Sequence, residues 1–447
     1  MQLLYNLAIA FSFPLLLAAY IYRLTFGGKS ARGLLERFGF LPRATRAALA
    51  KLRGKPLVWV HAVSVGEVAA AQPIVRALHE LSPEANVVLS VTTPTGRAEA
   101  ERRLPECHAL FYLPLDLPSC VRRTIAAVQP DVLAILETEL WPNLTAEVRR
   151  FGAPVILVNG RISDHAFSRA RHFRSLYEWV FSNFREVGVQ TELDAQRVQA
   201  LGADPERVRI LGNSKFDEPM PQVTAEEALH IRRELGFAPE DELIICGSTG
   251  PGEEEILLEA FGIVRRERPR AQLLIAPRQI ERGEEIAQLA RARGYTAALR
   301  SQGAVPPADG PRVFVLNTMG ELPRVYSIAS VAFVGRSLVP LGGGNILQPL
   351  AFGKPVLFGP HMENFRDYAR LALDAGVGFQ VSRAEELAQT VSRLLSAPDE
   401  RQAIAQRAAR LLEANRGASR AYAQMIVHAL EDRRPCARTN EQSSSAG

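Results

Sequence analysis

The stretch LVWVHAVSVGEVAAAQPIVRALHELSPEANVVLSVTT, residues 57–93, decides the fold. LVWVHAV (57–63) is a short, nearly continuous apolar run and reads as a strand buried on both faces. VGEVAAAQPIVRALHEL follows as a helix, and NVVLSVTT (86–93) as a second strand. Strand, helix and strand in that order describe parallel neighbours joined by a crossover.

The same grammar continues in both directions from this unit. TGRAEAERRL reads as a helix, DVLAILE (131–137) as a strand, NLTAEVRRFG as a helix and PVILVNG (154–160) as a strand. VGVQ (187–190) and VRILGN (208–213) complete a first series. A second begins at ELIICGST (242–249), followed by a helix from near Gly252, and runs through AQLLIAP (271–277), RVFVLNT (312–318), SVAFVG (330–335) and PVLFGP (355–360). Between the series lies EPMPQVTAEE (218–227), rich in proline and acid. The expected fold is α/β, two Rossmann-like domains facing a cleft, over 26–220 and 221–431. In such sheets ligands bind outside the carboxyl ends of the strands.

The chain has 447 residues, 47% apolar and 23% charged, which suits two globular domains. Its formal net charge of +5 is modest for that length. It gives no argument for nucleic acid but suits an anionic surface or substrate. Cys107, Cys120, Cys246 and Cys436 stand far apart, so neither a disulfide framework nor structural zinc is expected.

Residues 1–22 contain no charged side chain. The run from Leu3 to Tyr22 is long enough for a spanning helix, which needs ~20 apolar residues. Beyond it, Arg23, Lys29, Arg32, Arg37, Arg43, Arg46, Lys51 and Arg53 oppose the single acid Glu36. Residues 1–25 are therefore expected to be an inner-membrane anchor with the rest of the chain cytoplasmic. A cleaved signal peptide and an interfacial helix, favoured by Pro14, are the rival readings. Leu34–Leu52 reads as an amphipathic basic segment, resting on headgroups or simply solvated. Residues 432–447 are polar and small, a disordered tail.

Residues with chemistry gather just after the strands. Glu67, in HAVSVGEVAAAQP (61–73), opens a helix. There it is either a general base or a carboxylate that complements the helix dipole. ETELWPNL (137–144) sets Glu137 and Glu139 beside a strand end. NGRIS (159–163) and GNSKFD (212–217), with Lys215, follow two more strands. GSTGPGEEE (247–255) is a glycine-rich turn of the kind whose N–H groups hold phosphate, though its acids also suit a structural role. Arg278 in APRQIER, TMGEL (318–322) and the Gly342–Gly344 loop before Asn345–Gln348 follow the later strands.

Taken in order, HAVSVGE, TPTG (93–96), LPLDLP (113–118), ETELWPN, GNSKFD, GSTGPGEE, PR (277–278), MGEL, AFVGRSLV, GGGN and GPHMENF resemble the Kdo transferases of lipopolysaccharide assembly. The resemblance runs from the anchor to about residue 415. It implies a GT-B glycosyltransferase that moves Kdo from CMP-Kdo to lipid IVA, a lipid A precursor, with inversion and without a metal or other cofactor. It implies Glu67 as catalytic base, with Glu137 and Lys215 supporting the transition state. Pro277, Arg278, Met319, Gly320, Glu321, Asn345, Ile346, Leu347 and Gln348 would hold CMP. Inner-membrane lipids would be partners and nucleic acid would not.

The chain also departs from that family. Members usually carry His at the positions of Gly250, Gln279 and Gly344, Glu at Gln348 and Gly at Arg336. A transferase for a different nucleotide sugar, a catalytically lapsed nucleotide-sugar-binding protein and an epimerase of the same fold are the alternatives.

Overall fold

A computed structural model describes residues 1–11, 33–303 and 312–432. The chain forms two compact units, Met1–Glu218 with the chain from Asn415 on, and Pro219–Ala414.

The first unit is built on Leu57–His61 (β1), Asn86–Val91 (β2), Ala109–Tyr112 (β3), Val132–Leu136 (β4), Val155–Gly160 (β5), Phe184–Val189 (β6) and Val208–Ile210 (β7). They form one parallel sheet in the order β3-β2-β1-β4-β5-β6-β7. Apolar alternation along β1 feeds both faces: Leu57 and Trp59 enter one core, Val58 and Val60 the other. That is why the strand reads as an unbroken apolar run. The strand order reverses direction between β1 and β4, the switch point at which such sheets bind ligands.

The second unit repeats the plan with Glu242–Thr249 (β8), Ala271–Pro277 (β9), Thr296–Leu299 (β10), Arg312–Val315 (β11), Val331–Val334 (β12), Val356–Phe358 (β13) and Gly378–Gln380 (β14). Their order is β10-β11-β9-β8-β12-β13-β14, again parallel, with the switch between β8 and β12.

The chain then returns to the first unit. Its last helix, Ala418–Glu431, lies within the span assigned from sequence to the C-terminal domain. It packs instead on the helix Val65–Leu81, burying Tyr422, Ala423 and Ile426 in the first unit's core. Asp217 caps it, accepting from Gly417 N at 2.8 Å and Ser419 N at 2.7 Å. An apolar stripe decides where a helix packs, and this stripe matches the first sheet's open face.

Of the expected anchor, residues 12–25 lie outside the described residues, as does the tail beyond Asp432. Residues 2–11 are helical and rest on the first unit. Tyr5 Oη donates to Asp116 at 2.8 Å, and Asn143 Nδ2 donates to Asn6 Oδ1 at 2.7 Å. Leu3, Leu4, Leu7 and Phe11 remain exposed. Among the described residues no helix is long and apolar enough to cross a membrane. The segment Leu34–Leu52 forms two short helices, Leu34–Arg37 and Arg43–Lys51, broken at left-handed Gly39 and at Pro42. Leu41, Leu49 and Leu52 are buried in the first core, so this segment is part of the domain.

Candidate active site

Glu67 is the third residue of the helix Val65–Leu81, which begins where β1 ends at the first switch point. Its carboxylate turns back over the helix start, accepting from Val63 N at 2.7 Å and Ser64 Oγ at 3.2 Å. These bonds tie it to the short link between β1 and the helix. The side chain is buried, only 8% exposed, and burial, with the nearby Glu137 and Glu139, pushes its pKa up to about 8. The two hydrogen bonds pull the other way and lose. A carboxyl in this state holds its proton at neutral pH, and it becomes a competent base once it lets go.

Glu137 follows β4, hydrogen-bonded through its N–H to Val158 O at 3.0 Å. Its backbone is left-handed, φ 55°, a conformation that costs a non-glycine residue energy and that clusters at functional sites. The Lys215 ammonium reaches its carboxylate at 2.8 Å. Lys215 sits in a 3₁₀ turn, Ser214–Asp217, whose start is capped by Asn213 Oδ1. Ser214 Oγ donates to Ala70 O at 3.0 Å and so ties that turn to the helix carrying Glu67. The structure thus brings Glu67, Glu137 and Lys215 to one place. Glu139 joins them, its carboxyl pushed up by burial and by Glu137.

Beneath them His61 is fully buried, and burial lowers its pKa to about 4, so the ring is neutral. It meets Trp141 edge-on at 6.3 Å. Among the described residues no group of His, Cys, Asp or Glu is arranged to hold a metal ion, and Cys107, Cys120 and Cys246 are free thiols.

The second unit sets its expected residues along the carboxyl edge of neighbouring strands. Pro277 ends β9, and Arg278 is exposed with its N–H on Thr249 O at 2.9 Å. Met319 is 79% exposed beside left-handed Gly320. Glu321 is already engaged, accepting from Thr318 Oγ1 at 2.5 Å and Arg300 Nε at 2.9 Å. Asn345 Oδ1 accepts from Leu347 N at 2.9 Å and shapes the turn, while Ile346 and Leu347 point into the core. That leaves Arg278, Met319, Asn345 and Gln348 as the side chains available to a nucleotide, with backbone N–H groups beside them.

The glycine-rich turn GSTGPGEEE differs from a phosphate loop in one decisive respect. Its own Glu253, fully buried, takes the Gly250 N–H of the turn together with N–H groups of the loop after β12. The carboxylate accepts from Gly250 N at 2.8 Å, Arg336 N at 2.5 Å, Ser337 N at 2.8 Å and Leu338 N at 2.8 Å. It staples the β8 turn to the β12 loop across the second switch point. The sequence does not show this, because three consecutive glutamates give no sign of which one takes the backbone N–H groups of the β12 loop.

The departures in this half are coupled in space. Arg336 adopts φ 60° although it is not glycine. A Cβ at Gly250 would stand 2.6 Å from Leu341 Cδ1 and 3.4 Å from Arg336 Cγ. One at Gly344 would stand 2.7 Å from Val334 Cγ1. A side chain at 250 would require Leu341 to shift, and one at 344 would press on Val334.

The first unit holds a buried carboxyl beside a charge pair, the second an open edge of loops after its strands. Residues 32–218 match the family model described as 3-deoxy-D-manno-octulosonic-acid transferase (kdotransferase). The chain is 36% identical to the 3-deoxy-D-manno-octulosonic acid transferase of Bordetella pertussis, over 84% of this chain and 87% of that one. It is 32% identical to the enzyme of the same name from Haemophilus influenzae, over 89% and 91%. A solved glycosyltransferase from Rickettsia africae shares the fold, with TM-score 0.57 and 14% identity over 85% of this chain and 98% of that one. The chain belongs to the 3-deoxy-D-manno-octulosonic acid (Kdo) transferase family and is a glycosyltransferase.

Proposed function

We propose that this enzyme moves Kdo from CMP-Kdo to lipid IVA, a lipid A precursor, by one inverting displacement. The carrying observation is the buried Glu67, held near pH 8 beside the Glu137–Lys215 pair. In the step, Glu67 takes the proton of an acceptor hydroxyl as its oxygen bonds the anomeric carbon. The bond from that carbon to the phosphate oxygen breaks on the opposite face, and CMP leaves with the electron pair. Lys215, set by Glu137, offsets negative charge as it develops, and Arg278 holds the phosphate. The names of the relatives at 36% and 32% identity support the sugar.

Residues 1–25 anchor the chain at the cytoplasmic face of the inner membrane. The exposed Leu3, Leu4, Leu7 and Phe11 on the described part of that segment support this. The first test is turnover of CMP-Kdo with detergent-dispersed lipid IVA, read by product mass and by the anomeric configuration of the new linkage. No product, or a retained configuration, would refute the reading. Cations of the protein take the charge of the leaving group, so turnover should survive EDTA, with a control for lipid aggregation. Loss restored by magnesium would contradict that.

A second reading, a different nucleotide sugar, is favoured by Gln348 and by the crowding that a side chain at Gly250 or Gly344 would meet. Binding of CMP against UMP and GMP decides between them.

A further inference from the structure

Two neighbouring strand ends carry left-handed residues that are not glycine: Glu137 after β4, at the first switch point, φ 55°, and Asn159 at the end of the adjacent β5, φ 54°. The first already has a role. Asn159 opens NGRIS, a motif whose function is otherwise unassigned. It is fully buried. Its side-chain Oδ1 accepts from Ser214 N at 3.0 Å, one residue before Lys215. Its carbonyl accepts from Gln190 Nε2 at 3.0 Å, and Gln190 Oε1 accepts from Asn213 Nδ2 at 2.7 Å. The turn that carries Lys215 is thus held on both sides through one residue. Asparagine fits this position because it tolerates left-handed backbone and offers an acceptor there.

We propose that Asn159 is a positioning residue, which acts through Lys215 by fixing the Ser214–Asp217 turn so that the ammonium stands against Glu137. It rests on the reading of Lys215 given above.

The test is Asn159→Gly, which keeps the left-handed backbone and removes the carboxamide. With CMP-Kdo and lipid IVA, kcat should fall ~10–100-fold, as small misplacements of a catalytic group do, with KM for the donor little changed. The acid limb of the rate should also move to higher pH. Glu137 and Glu139 bear on Glu67, and a displaced ammonium no longer offsets the first of them. In a Lys215→Met background, Asn159→Gly should cost nothing further, because the two residues act as one unit. Additive losses there, or wild-type kcat and pH profile in the single variant, would overturn the proposal. Should glycine prevent folding, Asn159→Asp keeps the acceptor oxygen. It should retain kcat within about threefold on the plateau above the limb, and a larger loss would equally overturn the proposal. Full activity of Lys215→Met alone would instead refute the role given to Lys215.

Discussion

At the first switch point, between β1 and β4, a buried carboxyl has only two hydrogen bonds and faces two further acids. At the second, between β8 and β12, a buried carboxylate takes four backbone N–H groups. Both are glutamates at the start of a helix after a central strand. Glu67 is left short of partners and gains a proton. Glu253 is saturated and becomes a staple. The same residue type at equivalent points of two similar sheets thus meets different surroundings: burial and neighbouring acids raise the pKa of Glu67, while Glu253 is tied to four N–H groups.

The largest effect that sharpens this contrast is expected at Glu67. Glu67→Gln keeps shape and hydrogen bonding but cannot take a proton, so turnover should fall ~10²–10⁴-fold with CMP binding unchanged. Wild-type kcat/KM should rise with pH to a limb near 8. Stability should show the opposite sign. Between about 4.5 and about 8 the folded state keeps a proton that the unfolded state has lost. Wild type therefore loses stability as pH rises through that window, and the Gln variant should not. Melting curves at pH 5 and pH 8.5 on both proteins measure this. A variant that keeps most of its turnover would reduce Glu67 to a helix-start carboxylate.

The second effect is expected in stability. Glu253→Gln leaves one oxygen for four donors and turns an amide NH₂ toward the others. Unsatisfied buried groups cost about 1–3 kcal/mol each, so ~3 kcal/mol is the expected loss, seen in urea denaturation. CMP binding should weaken with it, while the pH limb of Glu67 stays in place. A stable Glu253→Gln protein with normal CMP affinity would break the contrast.

How much of this was legible in the sequence follows from the kind of signal each feature leaves. The central strands are continuous apolar runs and could be read directly. β3, β10 and β14 could not: they are three or four residues long, and each lies at a sheet edge, where burial on one side relaxes the pattern. Glu67, Glu137 and Lys215 stood out as charges just after buried strands, though Glu67 alone could equally complement its helix dipole and the family resemblance was what named their roles; the structure gathers all three. Asn159 and Glu253 were not legible in this way. Their roles depend on which N–H groups the fold brings to them from 55 and 83 residues away, Ser214 in one case and Arg336 in the other. The return of the last helix is of the same kind, since its stripe fits a face that only the folded first unit presents.

The smallest effect concerns Gln348, and it bears on the open side of the second unit. Glu253 takes the Gly250 N–H of the glycine-rich turn and three N–H groups of the β12 loop, so under the proposed reading side chains such as Gln348 share in holding the nucleotide. Gln348 is half-buried at the start of the short helix Leu347–Ala351, after a turn that Asn345 shapes. A neutral amide there can hydrogen-bond ribose hydroxyls, and a carboxylate binds such donors more strongly. Gln348→Glu should tighten CMP binding by ~1 kcal/mol, about fivefold in Kd by calorimetry. The hydroxyls of UMP and GMP are the same, so the gain should extend to them and leave base selectivity untouched. Weaker CMP binding would place the ribose elsewhere along this edge. Together with a preference for another nucleotide, it would move the donor assignment away from CMP-Kdo while leaving the chemistry at Glu67 as it stands.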